Sequence, residues 1–391
     1  MDKTPIDWVD LPMEMQQMLV GKCDLHTRWN LRAVSSSVNE LVDATKLFYS
    51  AVRVQENYIH GITIKLIHKL FKDEYTFRFK KNESGGTRIW RSFSPNDLIM
   101  ENSEPETEAF EFLKTMCFRK NVTIGRFDFE TISFTNKLED KLEEVINGTP
   151  FPMKIRAIHW KDSKYSQSIW KLIDKCDGRH LKELKVSGRL PHIPLVLFGK
   201  NDEKLRNLER IEVECDCNAT DEDVMSLNAS IISIKSKLLT HGMVTRLIEK
   251  FTEKRSNGSF FIIDNPSEED LSSLTIPAGF QVITNDPERM DYFNELVEGK
   301  KASVVLRVNE NYVRLQVNPA GLHFFEEKFF IAPPEDSDFD DYYNVEDNED
   351  NDFYGNGFDM DPNYDFDFEG DLYESDLYES DLDDFEFKYD Y

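Results

Sequence analysis

Apolar positions between residues 11 and 44 recur at the spacing of short helices. Leu11, Met15, Met18, Leu19 and Cys23 recur at helical spacing, in steps of four, three, one and four. Asp10 stands where it would cap that helix, and Pro12 falls in the opening turn, where no backbone N–H is missed. Asp24 is placed to cap a second helix carrying Leu25, Trp29 and Leu31. Ser37 and Glu40 have the spacing of a capping box ahead of a third helix with Val38, Leu41 and Val42. A unit of about 40 residues buries too little surface to stand alone. Part of its apolar surface must therefore meet the rest of the chain or a partner.

The pattern changes after residue 45. Phe48, Val52 and Val54 suggest an extended segment. Ile62, Ile64, Leu66, Ile67 and Leu70 are apolar-rich, with helical spacing toward their end. Tyr75-Thr76-Phe77-Arg78-Phe79 alternates as a strand does. Asn82 to Gly86 reads as a turn, with Gly85 and Gly86 available for positive φ. Ile89, Trp90 and Phe93 suggest a returning strand. The polar, Pro-containing stretch 94–106 reads as a loop, so 46–108 is expected to be a linker region with strands and a helix.

From 109 the chain becomes periodic. Helical stripes at Phe110/Leu113/Met116/Cys117, Leu138/Leu142/Val145/Ile146, Ile169/Leu172/Ile173/Cys176 and Met243/Leu247/Ile248/Phe251 alternate with short strands. Those strands share the form apolar-x-x-apolar-x-apolar: Ile124/Phe127/Phe129, Ile155/Ile158/Trp160, Leu181/Leu184/Val186, Leu208/Ile211/Val213 and Ala229/Ile232/Ile234, with Phe260 to Ile263 as a sixth. Their last positions are 31, 26, 27 and 21 residues apart. One strand and one helix per irregular unit describes a degenerate leucine-rich-repeat-like stack, in which each unit buries its face only against its neighbours. An ordinary α/β sandwich is the alternative. The expected class is mixed α/β, with the helical head, the stack over 109–265 and a C-terminal region over 266–334. Within that last region, 264–300 reads as loop-rich, and Ser303 to Val308 with Tyr312 to Val317 forms a hairpin around Asn309-Glu310-Asn311. Leu322, Phe324 and Phe325 suggest a last strand.

Charge separates the tail from the body. The formal net charge is -27, but residues 335–391 hold 24 Asp or Glu and a single Lys. Residues 1–334 are left at -4. The tail interleaves 15 Phe or Tyr with its acids and repeats Asp-Leu-Tyr-Glu-Ser from Asp371. Like-charge repulsion predicts that it is disordered. A nearly neutral body argues against a nucleic-acid-binding role, which needs a basic surface. Five cysteines without a paired framework predict free thiols, with no metal site and no cofactor. No signal peptide and no apolar run of membrane length is read, so the chain is expected to be intracellular, in cytoplasm and/or nucleus, with no membrane partner. Phosphate-binding, nucleophile-elbow, zincin and dinucleotide motifs are absent. An imagined His159–Cys176 base–nucleophile pair fails because Cys176 lies on an apolar stripe, so no catalytic residue is assigned.

Leu11-Pro12, Glu14-Met15, Met18-Leu19, Asp24-Leu25, Trp29, Leu31-Arg32, Val34-Ser35 and Leu41-Val42 stand in the order of an F-box, over residues 5–45. Val38 departs from it, since the family usually has Trp there. An F-box followed by helix–strand units, with FLKTMCFRKNVTIGRFDFETISF and LIDKCDGRHLKELKVSG, resembles the nematode-expanded F-box group that carries an FTH region. The resemblance implies a non-enzymatic substrate-recognition subunit of an SCF-type cullin-RING ubiquitin ligase. Leu11, Pro12, Met15, Met18, Leu19, Leu25, Leu31 and Val34 would meet the Skp-type adaptor. If the strands line one sheet, alternation turns Arg126, Asp128, His159, Lys161, Lys185, Arg210 and Glu212 outward as the candidate surface for an unknown target protein. The alternatives are a non-degradative F-box scaffold and an acidic-tailed chaperone of basic proteins.

Overall fold

The computed structural model describes residues 8–319 except 58–60, 69–73, 132–136, 163–167, 189–193, 200–201, 255, 265–273, 287–288, 295–301 and 310. The acidic tail and the candidate strand around Leu322 to Phe325 lie outside the described residues. What is described is a mixed α/β protein built on one large sheet.

The head is three helices: α1 (Met13–Lys22), α2 (Leu25–Arg32) and α3 (Ser36–Ala44). Asp24 caps α2 as its position predicts, Oδ1 accepting the Thr27 N–H at 2.5 Å. That bond holds the Asp24 carboxyl below its ordinary pKa. Two expected caps are corrected. Asp10 sits in a 3-10 turn (Trp8–Asp10), while Pro12 occupies the cap position of α1 and offers no side-chain bond. The cap of α3 is Ser35, whose hydroxyl accepts the Val38 N–H at 3.2 Å, so Ser37 and Glu40 fall inside the helix.

Residues 46–108 are not a linker but a structural wall. They form β1 (Leu47–Asn57), β2 (Gly61–His68), β3 (Glu74–Lys81), β4 (Thr87–Arg91) and β5 (Ser94–Met100), an antiparallel meander, and enter α4 (Pro105–Met116). The helical reading near Leu66 is overturned, because Ile62, Ile64 and Leu66 are buried on one face of β2 against Phe79, Phe77 and Tyr75 of β3. Period two, not 3.6, fits that burial. Of the loop expected at 94–106, residues 94–100 are a strand, 101–104 form a turn, and α4 begins at Pro105. Gly85 and Gly86 do take positive φ, 96° and 80°. At Gly86, in the β3–β4 turn, a Cβ would stand 2.2 Å from the Met100 carbonyl oxygen, so a side chain there would push the start of β4 away from the end of β5.

From α4 on, strand and helix alternate: β6 (Val122–Glu130), α5 (Lys137–Gly148), β7 (Lys154–Asp162), α6 (Ser168–Lys175), β8 (Glu183–Gly188), α7 (Asp202–Arg206), β9 (Arg210–Asp216), α8 (Asp221–Ser226), β10 (Ile231–Lys235), α9 (His241–Lys254) and β11 (Phe260–Asp264). β1 and β6 through β11 run parallel, each beside the one before it in sequence. From β6 to β11 the order runs one way, and right-handed crossovers then place the connecting helices on one face. Burial agrees: Ile124, Phe127, Phe129, Ile155, Ile158, Trp160, Leu184, Val186, Ile211, Val213, Ile232 and Ile234 are all buried. Each is worth about 1.5–3 kcal/mol against exposure. The stretch 264–300, expected to be loop-rich, contributes β12 (Gln281–Asp286) and β13 (Arg289–Asn294). With the expected hairpin, β14 (Ala302–Asn309) and β15 (Tyr312–Pro319), these close the far end antiparallel to β11.

The head is fastened to the meander by α2. Leu25 enters the main core, and the Trp29 ring stacks on Phe77 at 5.7 Å and Phe112 at 5.9 Å and meets Phe93 at 5.9 Å. Arg28, buried, donates to the carbonyls of Cys23, Lys46 and Gly21. Asp43 is shared by Arg32 and Arg119.

Candidate functional site

Two surfaces stand out, one on the head and one on the sheet. On the head, Val20 turns inward to a small cluster with Leu41 and Val42, against which Trp8, Leu31 and Val38 pack. Met15, Met18 and Leu19 lie on another face of α1, at the i, i+3, i+4 spacing that makes neighbours on a helix. They are exposed, as are Pro12 and, at 65% and 69%, Met13 and Val34. Five large apolar side chains thus face solvent within 22 residues. Of the eight adaptor candidates, Pro12, Met15, Met18, Leu19 and Val34 are exposed and Leu11 is half-buried. Leu25, only 2% exposed and built into the main core, is corrected to a structural residue. Leu31 supports the head's own cluster. Met13 belongs with the exposed set and lies at the helix start, two residues after the start that a cap at Asp10 implies.

On the sheet, the face away from the buried apolar rows carries charge. Register places Lys65, Arg53, Asp128, His159, Lys185, Glu212 and Ser233 side by side across β2, β1, β6, β7, β8, β9 and β10. A parallel row, Gln55–Glu130–Lys161, runs two residues along. All seven target candidates lie on this face, as alternation predicted, but they are bonded to one another or, for Lys161, to Glu130. Asp128 accepts from Arg53 Nε at 3.0 Å and is approached by Arg126 Nε at 3.0 Å and His159 Nδ1 at 3.4 Å. Lys161 reaches Glu130 at 2.6 Å, and Arg210 Nε donates to Glu212 at 2.7 Å. Lys185 lies 2.8 Å from Glu214 and 3.5 Å from Glu212. Burial alone would lower the pKa of Lys185, but Glu214 and Glu212 more than offset it and the ammonium ends above its ordinary value.

The charges of the central strands therefore hold the face together. Glu212 is 8% exposed. Converting Lys185 and Arg210 together to glutamate would surround it with carboxylates in a half-desolvated place, at a cost of roughly 2–4 kcal/mol. Urea unfolding at neutral pH is expected to show that loss, with Glu212→Gln far milder.

His159 gives the face a pH dependence. Its burial lowers the imidazole pKa from 6.5, and Asp128 offsets this only in part. The unfolded chain then binds more protons between the folded value and 6.5, so this contribution is complete above 6.5 and is lost as pH falls below it. The stability difference between the native chain and His159→Gln, followed by thermal unfolding across pH 5 to 8, is expected to change only in the lower part of that range.

Cys176 is buried in the apolar core, where desolvation pushes its thiol up to about 12, opposite to what a nucleophile needs. His159 stands on the polar face, so the two form no pair. Among the described residues no group of three or more His, Cys, Asp or Glu could hold a metal ion. No described helix is long and apolar enough to cross a membrane. Comparison with family models, with curated proteins and with solved structures found no match.

Proposed function

We propose that the chain is a substrate-recognition subunit of an SCF-type cullin-RING ubiquitin ligase, with no chemistry of its own. In this reading the head is an F-box that docks on a Skp-type adaptor. The strand–helix succession is a leucine-rich-repeat-like stack of the FTH kind, whose polar sheet face takes a target protein. The observation that carries the reading is the head's division of labour. Leu25, Arg28 and Trp29 fix it to the body, while Met13, Met15, Met18, Leu19 and Val34 are left to solvent. Such a patch on a three-helix unit marks a protein interface. Recognition followed by modification elsewhere needs only proximity from this subunit.

Affinity purification of the full chain from cells tests the reading. A Skp-type adaptor and a cullin are expected to co-purify, and Leu11→Ala with Pro12→Ala is expected to remove both. Recovery without either protein, or recovery unaffected by the double substitution, would overturn it.

A further inference from the structure

Three of the chain's eleven methionines, Met13, Met15 and Met18, fall within the first two turns of α1. Their exposure sets them apart. They are 65%, 44% and 55% exposed, whereas Met116, Met153 and Met243 are at most 4% exposed and Met100, Met225 and Met290 are half-buried. Among the described residues, every exposed thioether therefore stands on one helix of the head. None of the three belongs to a buried cluster. Met15 and Met18 are three positions apart and so are neighbours on one face of the helix. Leu19 and Val34 complete the exposed apolar surface but carry no sulfur. A methionine side chain is unbranched and polarisable, which suits it to a docking surface. Its sulfur is also an atom that mild oxidants convert, reversibly, from apolar to polar. The nearest competing group is Cys23, half-buried at the end of α1, with Sγ 3.3 Å from the Leu19 carbonyl oxygen. The other four cysteines are buried.

We propose that Met15 and Met18 are sites of reversible oxidation by hydroperoxides, and that their sulfoxides close the docking face of the head. The proposal rests on the adaptor-docking reading above and adds its regulation. In each event the thioether sulfur attacks a peroxide oxygen. An S–O bond forms, the O–O bond breaks, the sulfur gives up two electrons, and hydrogen peroxide leaves as water. The product places a polar acceptor where an apolar contact is made. Docking would strip water from that oxygen and offer no donor in return, so each sulfoxide is expected to weaken docking about tenfold or more. In the free chain the new oxygen stays in solvent, and the fold loses nothing. A bound partner covers the sulfurs, so the form that is oxidised is the one without adaptor. Methionine sulfoxide reductases, one for each epimer, return the thioether and with it the docking face.

The test exposes the purified full chain, without adaptor, to a graded series of hydrogen peroxide, quenches with catalase and follows each methionine by peptide mass mapping. Met13, Met15 and Met18 are expected to oxidise at least about tenfold faster than Met116, Met153 and Met243, with the unfolding midpoint unchanged. The treated chain is then immobilised and offered lysate of the cells used for the co-purification. Recovery of the Skp-type adaptor is expected to fall about tenfold or more as Met15 and Met18 are converted. It is expected to return after both sulfoxide reductases with dithiothreitol, and not after dithiothreitol alone. Met15→Leu with Met18→Leu, compared with its own untreated sample, is expected to keep its recovery at the same dose. The inference is overturned if the buried methionines oxidise as fast, if recovery survives full conversion of Met15 and Met18, if dithiothreitol alone restores it and so places the effect at Cys23, or if the leucine variant loses recovery as the native chain does. Absence of adaptor from the untreated chain is a separate result: it overturns the ligase reading, and this regulation with it.

Discussion

Met15→Glu combined with Leu19→Glu is expected to abolish co-purification of a Skp-type adaptor and to leave the unfolding midpoint of the chain unchanged. The two side chains lie one turn apart on the solvent face of α1, and neither belongs to a buried cluster. An apolar contact at the centre of an interface is worth about 2 kcal/mol or more when it is a hot spot, and burying a carboxylate against an apolar partner costs further. Loss of one such contact already weakens binding by more than about tenfold, and two together exceed what a pull-down can retain. Leu25→Ala is the informative contrast. Leu25 is a core residue, so its truncation is expected to lower stability by about 2–5 kcal/mol and to affect adaptor recovery only through folding. If Met15→Glu with Leu19→Glu leaves recovery intact, the exposed face of the head has another use and the ligase reading falls.

Trp29→Ala is expected to be the most damaging single change to the attachment of the head. The indole lies between two layers, stacked on Phe77 of the meander and Phe112 of α4, with Phe93 across its edge. Removal takes away about 2–4 kcal/mol, less than for a fully buried Trp because the ring is half-buried. For a chain of this size that lowers the unfolding midpoint by about 5 °C. Hydrogen exchange should locate the damage: amides of residues 13–44 are expected to lose protection while those of β7 to β10 keep theirs. Trp29→Phe, which retains a ring between the same partners, should recover most of the loss. Equal loss of protection in β7 to β10 would mean that the head is not a separable unit.

The helix stripes and the strand signature apolar-x-x-apolar-x-apolar were legible because each element buries one face, and burial imposes its period directly on the residues. The same alternation placed all seven outward candidates on the right face. It did not reveal that Asp128 is shared by Arg53, Arg126 and His159, since those contacts join residues up to 75 positions apart. The meander was misread for a related reason. Ile62 to Leu70 is apolar enough to fit either period, and Ser94 to Met100, at the sheet edge, has no buried stripe to show.

By itself, then, the order of residues determined the local elements, the identity of their buried faces, and the partition of charge between a nearly neutral body and an acidic terminal stretch. These follow from nearest-neighbour chemistry and from the periods of helix and strand. Tertiary structure decided which strands lie side by side, which charges cancel, and which apolar residues of the head are spent on Phe77 and Phe112 rather than left to solvent. Those outcomes depend on pairings across the sheet that no local pattern encodes, because a side chain's partner is set by register and not by its own sequence neighbours.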